Sequence, residues 1–286
     1  MLKTRIITAS ILLPLVLVVI LYCPTVLVSG FSAIIFILAA WEWTKLIGLE
    51  KNELRYANIV VMISACIAYK YFNLPVLALC FVALLWWVVS LAAIIMYPKG
   101  ISFWSNNWVG FCVGCILFVP AWLSIDWLHG TYNMGPVWVI FMCFLVWSAD
   151  VGAYFIGKKW GKKKLLVAVS PGKTWLGVLG AILFAFIVVV IFKIFWLGSQ
   201  KFIVLCALGL IAVVFSIVGD LVESLFKRIR GYKDSGNLLP GHGGVLDRID
   251  GLLAAIPTFI VGLNVCSYSA VIPAKAGIQW FYRVFF

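Results

Sequence analysis

The chain is a succession of apolar runs separated by short polar stretches, and the runs cover residues 6–22, 26–46, 57–72, 75–97, 109–125, 136–156, 176–196, 202 to about 220, and 252–272. A hydrocarbon core about 30 Å thick is crossed by about 20 helical residues, and all but the short 57–72 run come close to that length. With 65% hydrophobic and 11% charged residues over 286 positions, the composition is too apolar for a soluble domain of this size. The expected fold is therefore all-α: a polytopic integral membrane protein with about nine transmembrane helices.

The net charge of +12 is uneven. Lys158, Lys159, Lys162, Lys163, Lys164 and Lys173 form one basic cluster, and the segment from Lys227 to Arg248 forms another. Basic clusters beside membrane spans mark the cytoplasmic face, where anionic headgroups also lie. Two spans separate the clusters, which puts both on one face. Lys3 and Arg5 keep the N-terminus inside, and the run after them is expected to stay as a first helix rather than be cleaved as a signal peptide. The stretch holding Asp126, His129 and Asn133 lacks a basic cluster and is expected as an outer loop with His129 solvated. Trp41-Glu42-Trp43 ends the second run as an interfacial aromatic group. The eight cysteines lie in or beside apolar runs and are expected as small buried hydrophobes.

One polar stretch, 216–251, stands out against this background. In a helix ending near Arg230, Asp220, Glu223, Ser224, Lys227 and Arg228 fall at steps of three and four and share a face. Four charges facing lipid would cost roughly 10 kcal/mol, so the stripe must face protein, water or a ligand. A polar loop with Lys233, Asp234, Ser235 and Asn237 follows. Then comes Pro240-Gly241-His242-Gly243-Gly244, where glycines let backbone N–H groups approach an anion. A further helix starting near Val245 would carry Asp247, Asp250 and Gly251 on one face. Carboxylates without a Cys or His ligand set favour a hard cation, Mg²⁺ above all, which points to Asp220 and Asp247 as metal ligands with room for a second cation. Lys227, Arg228, Lys233 and Arg248 supply the charge a polyphosphate needs. From spacing alone, a solvated loop with a few ion pairs remains the alternative.

At these residues the chain resembles the phosphatidate cytidylyltransferase (CDP-diacylglycerol synthase) family: S-L-F-K-R-I-R-G-Y-K-D-S-G-N-L-L-P-G-H-G-G-V-L-D-R-I-D is similar to its signature throughout. W-S-A-D-V-G-A-Y-F-I-G, around Asp150, is similar too. Asp150 is a functional candidate by its depth alone, with pairing to a neighbouring lysine as the structural alternative. Ser170-Pro171-Gly172-Lys173-Thr174 ends like a Walker A loop but has Val167 where the first glycine belongs, and it resembles instead the family's Ser-Pro-x-Lys-Thr segment. Leu176 stands where relatives often carry Glu or Gln. The likeness is dense from Trp147 to Gly251 and thin before that, limited to pieces such as A-A-W-E-W.

The resemblance implies transfer of CMP from CTP to phosphatidate, giving CDP-diacylglycerol and pyrophosphate, at a bacterial cytoplasmic membrane with the site facing the cytoplasm. Implied catalytic residues are Asp220, Asp247, Lys227, Arg228 and His242, and implied substrate contacts are Asp150, Ser170, Lys173, Thr174, Ser224, Lys233, Asp234, Gly243, Gly244 and Arg248. Lys227 and Arg228 are expected in the wet outer part of the site, about 10 Å nearer the cytoplasm than Asp220. Residues 1–134 are expected to scaffold and contact lipid, 135–272 to carry catalysis, and 273–286 form a tail to which the sequence assigns no role. Partners are CTP, phosphatidate and membrane lipid, with no nucleic acid; a homodimer is compatible. A CTP-dependent lipid kinase and a transporter with buried acids are the rival readings.

Overall fold

A computed structural model describes residues 2–131, 134–198, 201–239, 241 and 243–266, with backbone alone for 2–7 and 9. In chain order its elements are α1 (Leu2–Tyr22), α2 (Thr25–Leu46), α3 (Asn52–Tyr71), α4 (Val76–Met96), a short α5 (Ile101–Trp104), α6 (Asn107–Thr131), α7 (Gly135–Trp160), β1 (Lys164–Leu166), β2 (Ser170–Thr174), α8 (Trp175–Phe195), α9 (Phe202–Ile229) and α10 (Leu246–Val265). Among the described residues seven helices, α2, α4 and α6 to α10 without the hairpin, are long and apolar enough to cross a membrane; nine were expected. The fold is an all-α polytopic membrane protein with one small β-hairpin. α3 is as long as its neighbours but carries Glu53, Arg55 and Lys70. Among the described side chains of α1 the apolar stretch is Ser10–Tyr22.

The ends of the helices gather in two groups. At one end, Lys70 Nζ lies 2.8 Å from Asp126 Oδ2 and donates to Ser29 Oγ at 3.2 Å. His129 bonds through Nδ1 to Thr25 Oγ1 and through Nε2 to the Ile20 carbonyl, both at 3.0 Å. At the other end, Arg230 donates to the carbonyls of Leu46, Ile47 and Ser105 and to Asn107 Oδ1, while Arg55 reaches Thr44 Oγ1 and the Trp41 carbonyl. These contacts lay α3 antiparallel along the whole of α2.

Three local expectations change. α6 runs on to Thr131, so His129 is buried and bonded instead of solvated in a loop; both ring nitrogens find partners, and Asp126 is neutralised by Lys70. Glu42 and Trp43 are buried rather than interfacial: the Trp43 ring packs 4.6 Å from that of Phe226, and its Nε1 donates to the Gly110 carbonyl. The basic stretch after α7 folds into an antiparallel hairpin, with Lys164 opposite Thr174 and Leu166 opposite Ser170. It is seated by buried Val169, which packs with half-buried Leu165 and Leu166 in the core that contains α9 residues.

Two glycine crossings bring the later helices together. A Cβ on Gly152 would stand 2.4 Å from the Gly180 carbonyl oxygen, and one on Gly180 would stand 2.5 Å from that of Gly152, so α7 and α8 touch backbone to backbone. Likewise a Cβ on Gly219 of α9 would lie 2.5 Å from the Asp250 carbonyl oxygen of α10. Without a hydrophobic gain between helices in lipid, such close approach is a main source of packing energy. It also sets the polar stripe of α9 directly against the first turns of α10. The cysteines are free among the described residues, with Cys112 and Cys266 exposed rather than buried.

Candidate active site

α9 and α10 each present two acids three residues apart, Asp220 and Glu223 on one helix and Asp247 and Asp250 on the other. The glycine crossing makes the two pairs face each other. Oxygens of Asp220, Glu223 and Asp250 lie within 4.8 Å of one another. Glu223 also neighbours Asp247, and Asp150 of α7 is close enough to feel the charges of Asp220, Asp250, Lys173 and Arg248. Asp220, Asp250, Glu223 and Asp247 thus form one row of carboxylates drawn from two helices, with Asp150 of α7 within electrostatic reach of it.

Cations are set into this row. Lys173, carried in by β2, places Nζ 2.7 Å from Asp220 Oδ2. Ser224 Oγ donates to Asp220 Oδ1 at 3.3 Å. Lys227 is only 8% exposed and lies between two acids, 2.6 Å from Glu223 Oε2 and 2.9 Å from Asp247 Oδ1. It is therefore not a side chain of the outer funnel: one turn of helix turns it into the acid row, where two carboxylates offset the cost of burying its charge. Arg228 is exposed and donates to the carbonyls of Val169 and Tyr232, tying α9 to the hairpin.

Asp247 is the hub of the loop between α9 and α10. Besides Lys227 it accepts from Ser235 N with both oxygens and from Gly244 N at 2.8 Å, which folds the loop back onto the start of α10. Gly243 has φ of +87°, and a Cβ there would stand 2.9 Å from Asp247 Oδ2, so only glycine suits the bend. Leu239 N donates to the Gly243 carbonyl and closes the base of this loop. Lys233, Asp234 and Arg248 are exposed around it. His242 lies outside the described residues, as does the tail from residue 267.

The hairpin residues divide in their roles. Lys173 enters the acid row, and Ser170 is half-buried at the start of β2. Thr174 is buried and its Oγ1 accepts from Gly177 N, so this hydroxyl caps α8, whereas it was expected to meet nucleotide.

Three acids had no role assigned from sequence. Glu223 and Asp250 complete the row, and the repeated spacing of two acids three apart was the available signal. Glu42 of α2 is 4% exposed, and its Oε2 accepts from Leu246 N and Ser235 Oγ. An acid inside an apolar run was the signal there, as for Asp150. A hard cation fits the row: Glu223 Oε1 is buried without a hydrogen-bond partner among the described residues, and it sits beside two further carboxylates with oxygen donors alone.

Comparison with known proteins adds to this geometry. The model of the cytidylyltransferase family matches residues 3–266. The phosphatidate cytidylyltransferase of Pseudomonas aeruginosa is 40% identical over 273 residues, covering 94% of this chain and 100% of the relative. That of Haemophilus influenzae is 36% identical over 282 residues, with 91% and 97% covered. That of Staphylococcus aureus is 33% identical over 261 residues, with 89% and 96% covered.

Proposed function

The chain belongs to the cytidylyltransferase family, and from that premise we infer that it is a phosphatidate cytidylyltransferase, a membrane nucleotidyltransferase that makes CDP-diacylglycerol from CTP and phosphatidate. The observation that carries this reading is the acid row with Lys173 and Lys227 set into it, in a chain similar to such enzymes over nearly its whole length.

In this reaction a lipid phosphate oxygen forms a bond to the α-phosphorus of CTP, the bond from that phosphorus to the β-phosphate oxygen breaks, and pyrophosphate leaves with the electron pair. Phosphatidate oxygens are already anionic at neutral pH, so no strong base is needed. Positioning and charge neutralisation carry the rate. Asp220, Glu223 and Asp250 would hold Mg²⁺, and Asp247 would serve a second cation. The bound metal supplies positive charge for the triphosphate and the leaving group. Lys173 exchanges its contact with Asp220 for a substrate phosphate, and Lys227 keeps Glu223 and Asp247 in place. Backbone N–H groups of the 231–246 loop, with Lys233, Arg248 and Arg228 around it, receive the nucleotide phosphates; His242 is proposed from the sequence to join them.

For topology, α1 and α3 are read as crossing too, giving nine spans; α3 follows α2 from the Arg55 contacts to the Lys70 contact, end to end. The acid row then opens at the end of the bundle where the two basic clusters lie, which is the cytoplasmic face of a bacterial inner membrane by the charge rule. Incubating purified protein with labelled CTP, phosphatidate and Mg²⁺ and extracting the lipid tests this. CDP-diacylglycerol with pyrophosphate is expected; CDP with a phosphorylated lipid would indicate a kinase, and no CTP consumption in detergent would end the reading.

A further inference from the structure

We propose that Glu42, contributed by the second helix, is a positioning residue that holds the 231–246 loop in the shape that binds CTP. The proposal rests on the cytidylyltransferase reading. Glu42 Oε2 accepts from Leu246 N at 2.8 Å and from Ser235 Oγ at 3.1 Å. Leu246 is the first residue of α10, so a carboxylate supplied from far away in the chain occupies the positive end of that helix. Ser235 is fully buried, and its N–H donates to Asp247 while its hydroxyl donates to Glu42. The loop is thus wrapped around two carboxylates, Asp247 from its own helix and Glu42 from the opposite side.

At Gly244 and Gly236 the fit leaves no space for a side chain. A Cβ on Gly244 would stand 2.0 Å from Ser235 Oγ and 2.4 Å from Glu42 Oε2, and one on Gly236 would stand 2.2 Å from Glu42 Oε1. Among the described residues Glu42 Oε1 is buried without a hydrogen-bond partner, and no lysine or arginine pairs with this side chain. A buried carboxylate held by one amide, one hydroxyl and a helix terminus is a costly way to fill a gap. What it contributes is alignment: with Ser235 and Leu246 pinned, Ser235 N and Gly244 N both point at Asp247, and Asp247 holds Lys227. Glu42 therefore reaches the acid row through the loop without touching substrate.

The test uses the full-length protein in detergent with CTP binding and steady-state turnover. Wild-type protein must first form CDP-diacylglycerol; if it does not, the function reading fails and not this one. Glu42→Ala should weaken CTP binding about tenfold or more, the scale of a lost hydrogen bond to a charged group. The KM for phosphatidate should stay within about twofold, and Glu42→Gln, which keeps an acceptor, should recover part of the loss. Ser235→Ala should act in the same direction, and adding it to Glu42→Ala should cost little more, because both break one contact. Unchanged CTP affinity, an equal rise in both KM values together with a lower thermal midpoint, or additive losses in the double variant would each overturn the proposal. If Glu42→Ala does not accumulate as folded protein, Glu42→Gln and Ser235→Ala decide by the same readouts.

Discussion

Lys173 Nζ, on the hairpin, stands 2.7 Å from Asp220 Oδ2, on α9, and this contact joins the two basic segments of the chain in one site. The two side chains are 23% and 33% exposed, while Lys173 Nζ itself is buried against the carboxylate. Lys173→Met and Asp220→Asn should each lower turnover by about a hundredfold or more, the size seen when one preorganised electrostatic contact is removed from a reaction centre. Thermal midpoints should fall less than for the more deeply buried Lys227. Turnover within threefold of wild type in either variant would remove that residue from the site.

Lys227 should behave differently, because it is buried between Glu223 and Asp247. Lys227→Met leaves two carboxylates uncompensated and should destabilise the fold by about 3–5 kcal/mol. Combining it with Glu223→Gln should restore part of that stability. Arg228, at the exposed rim, is the residue whose loss should reduce the salt sensitivity of CTP binding. Thermal unfolding and CTP titrations at two salt concentrations separate these outcomes; a stable Lys227→Met protein with altered salt dependence would contradict the assignment.

Chelating divalent cations should abolish activity, and Mg²⁺ should restore it. Asp250→Asn should shift the Mg²⁺ requirement upward by about tenfold through loss of one of three neighbouring carboxylates. The measurement is initial rate against free Mg²⁺. An unchanged half-saturation point would exclude Asp250 as a ligand.

The helix crossing at Gly152 and Gly180 leaves no room for a side chain. Gly180→Val should therefore separate α7 from α8 and lower both thermal stability and activity. Gly30→Ala, at a position where a Cβ meets nothing within 4 Å, should leave activity intact and, by helix propensity, stabilise slightly. Equal effects from the two substitutions would argue against close packing at the crossing.

The side of the membrane can be read with single cysteines in a background lacking the native ones. Cysteines replacing Lys164 and Lys233 should react with an impermeant reagent from the cytoplasmic side alone, and one replacing exposed Tyr71, beside the Lys70 contact, from the other side alone. Opposite sidedness for Lys164 and Lys233 would break the shared site.

The sequence by itself determined the class of fold and the pairing of the two basic segments on one face, and it pointed to Asp220, Asp247 and Lys173 as candidates. The first two rest on local patterns, span length and charge beside spans, while the candidate chemistry rests on carboxylates flanking a glycine-rich basic loop and, for Lys173, on the family resemblance. Tertiary structure decided the rest, because it depends on which helices touch. The backbone contact at Gly219 is what sets Asp250 and Glu223 beside Asp220. Lys227 looks like an outer basic residue in sequence, yet α10 supplies Asp247 on its far side and turns it into a buried partner. Thr174 and His129 found intramolecular partners that spacing did not announce. Glu42 lies far from the loop it holds, and only the packing of α2 against α10 brings a carboxylate of the first half of the chain to the start of the last helix.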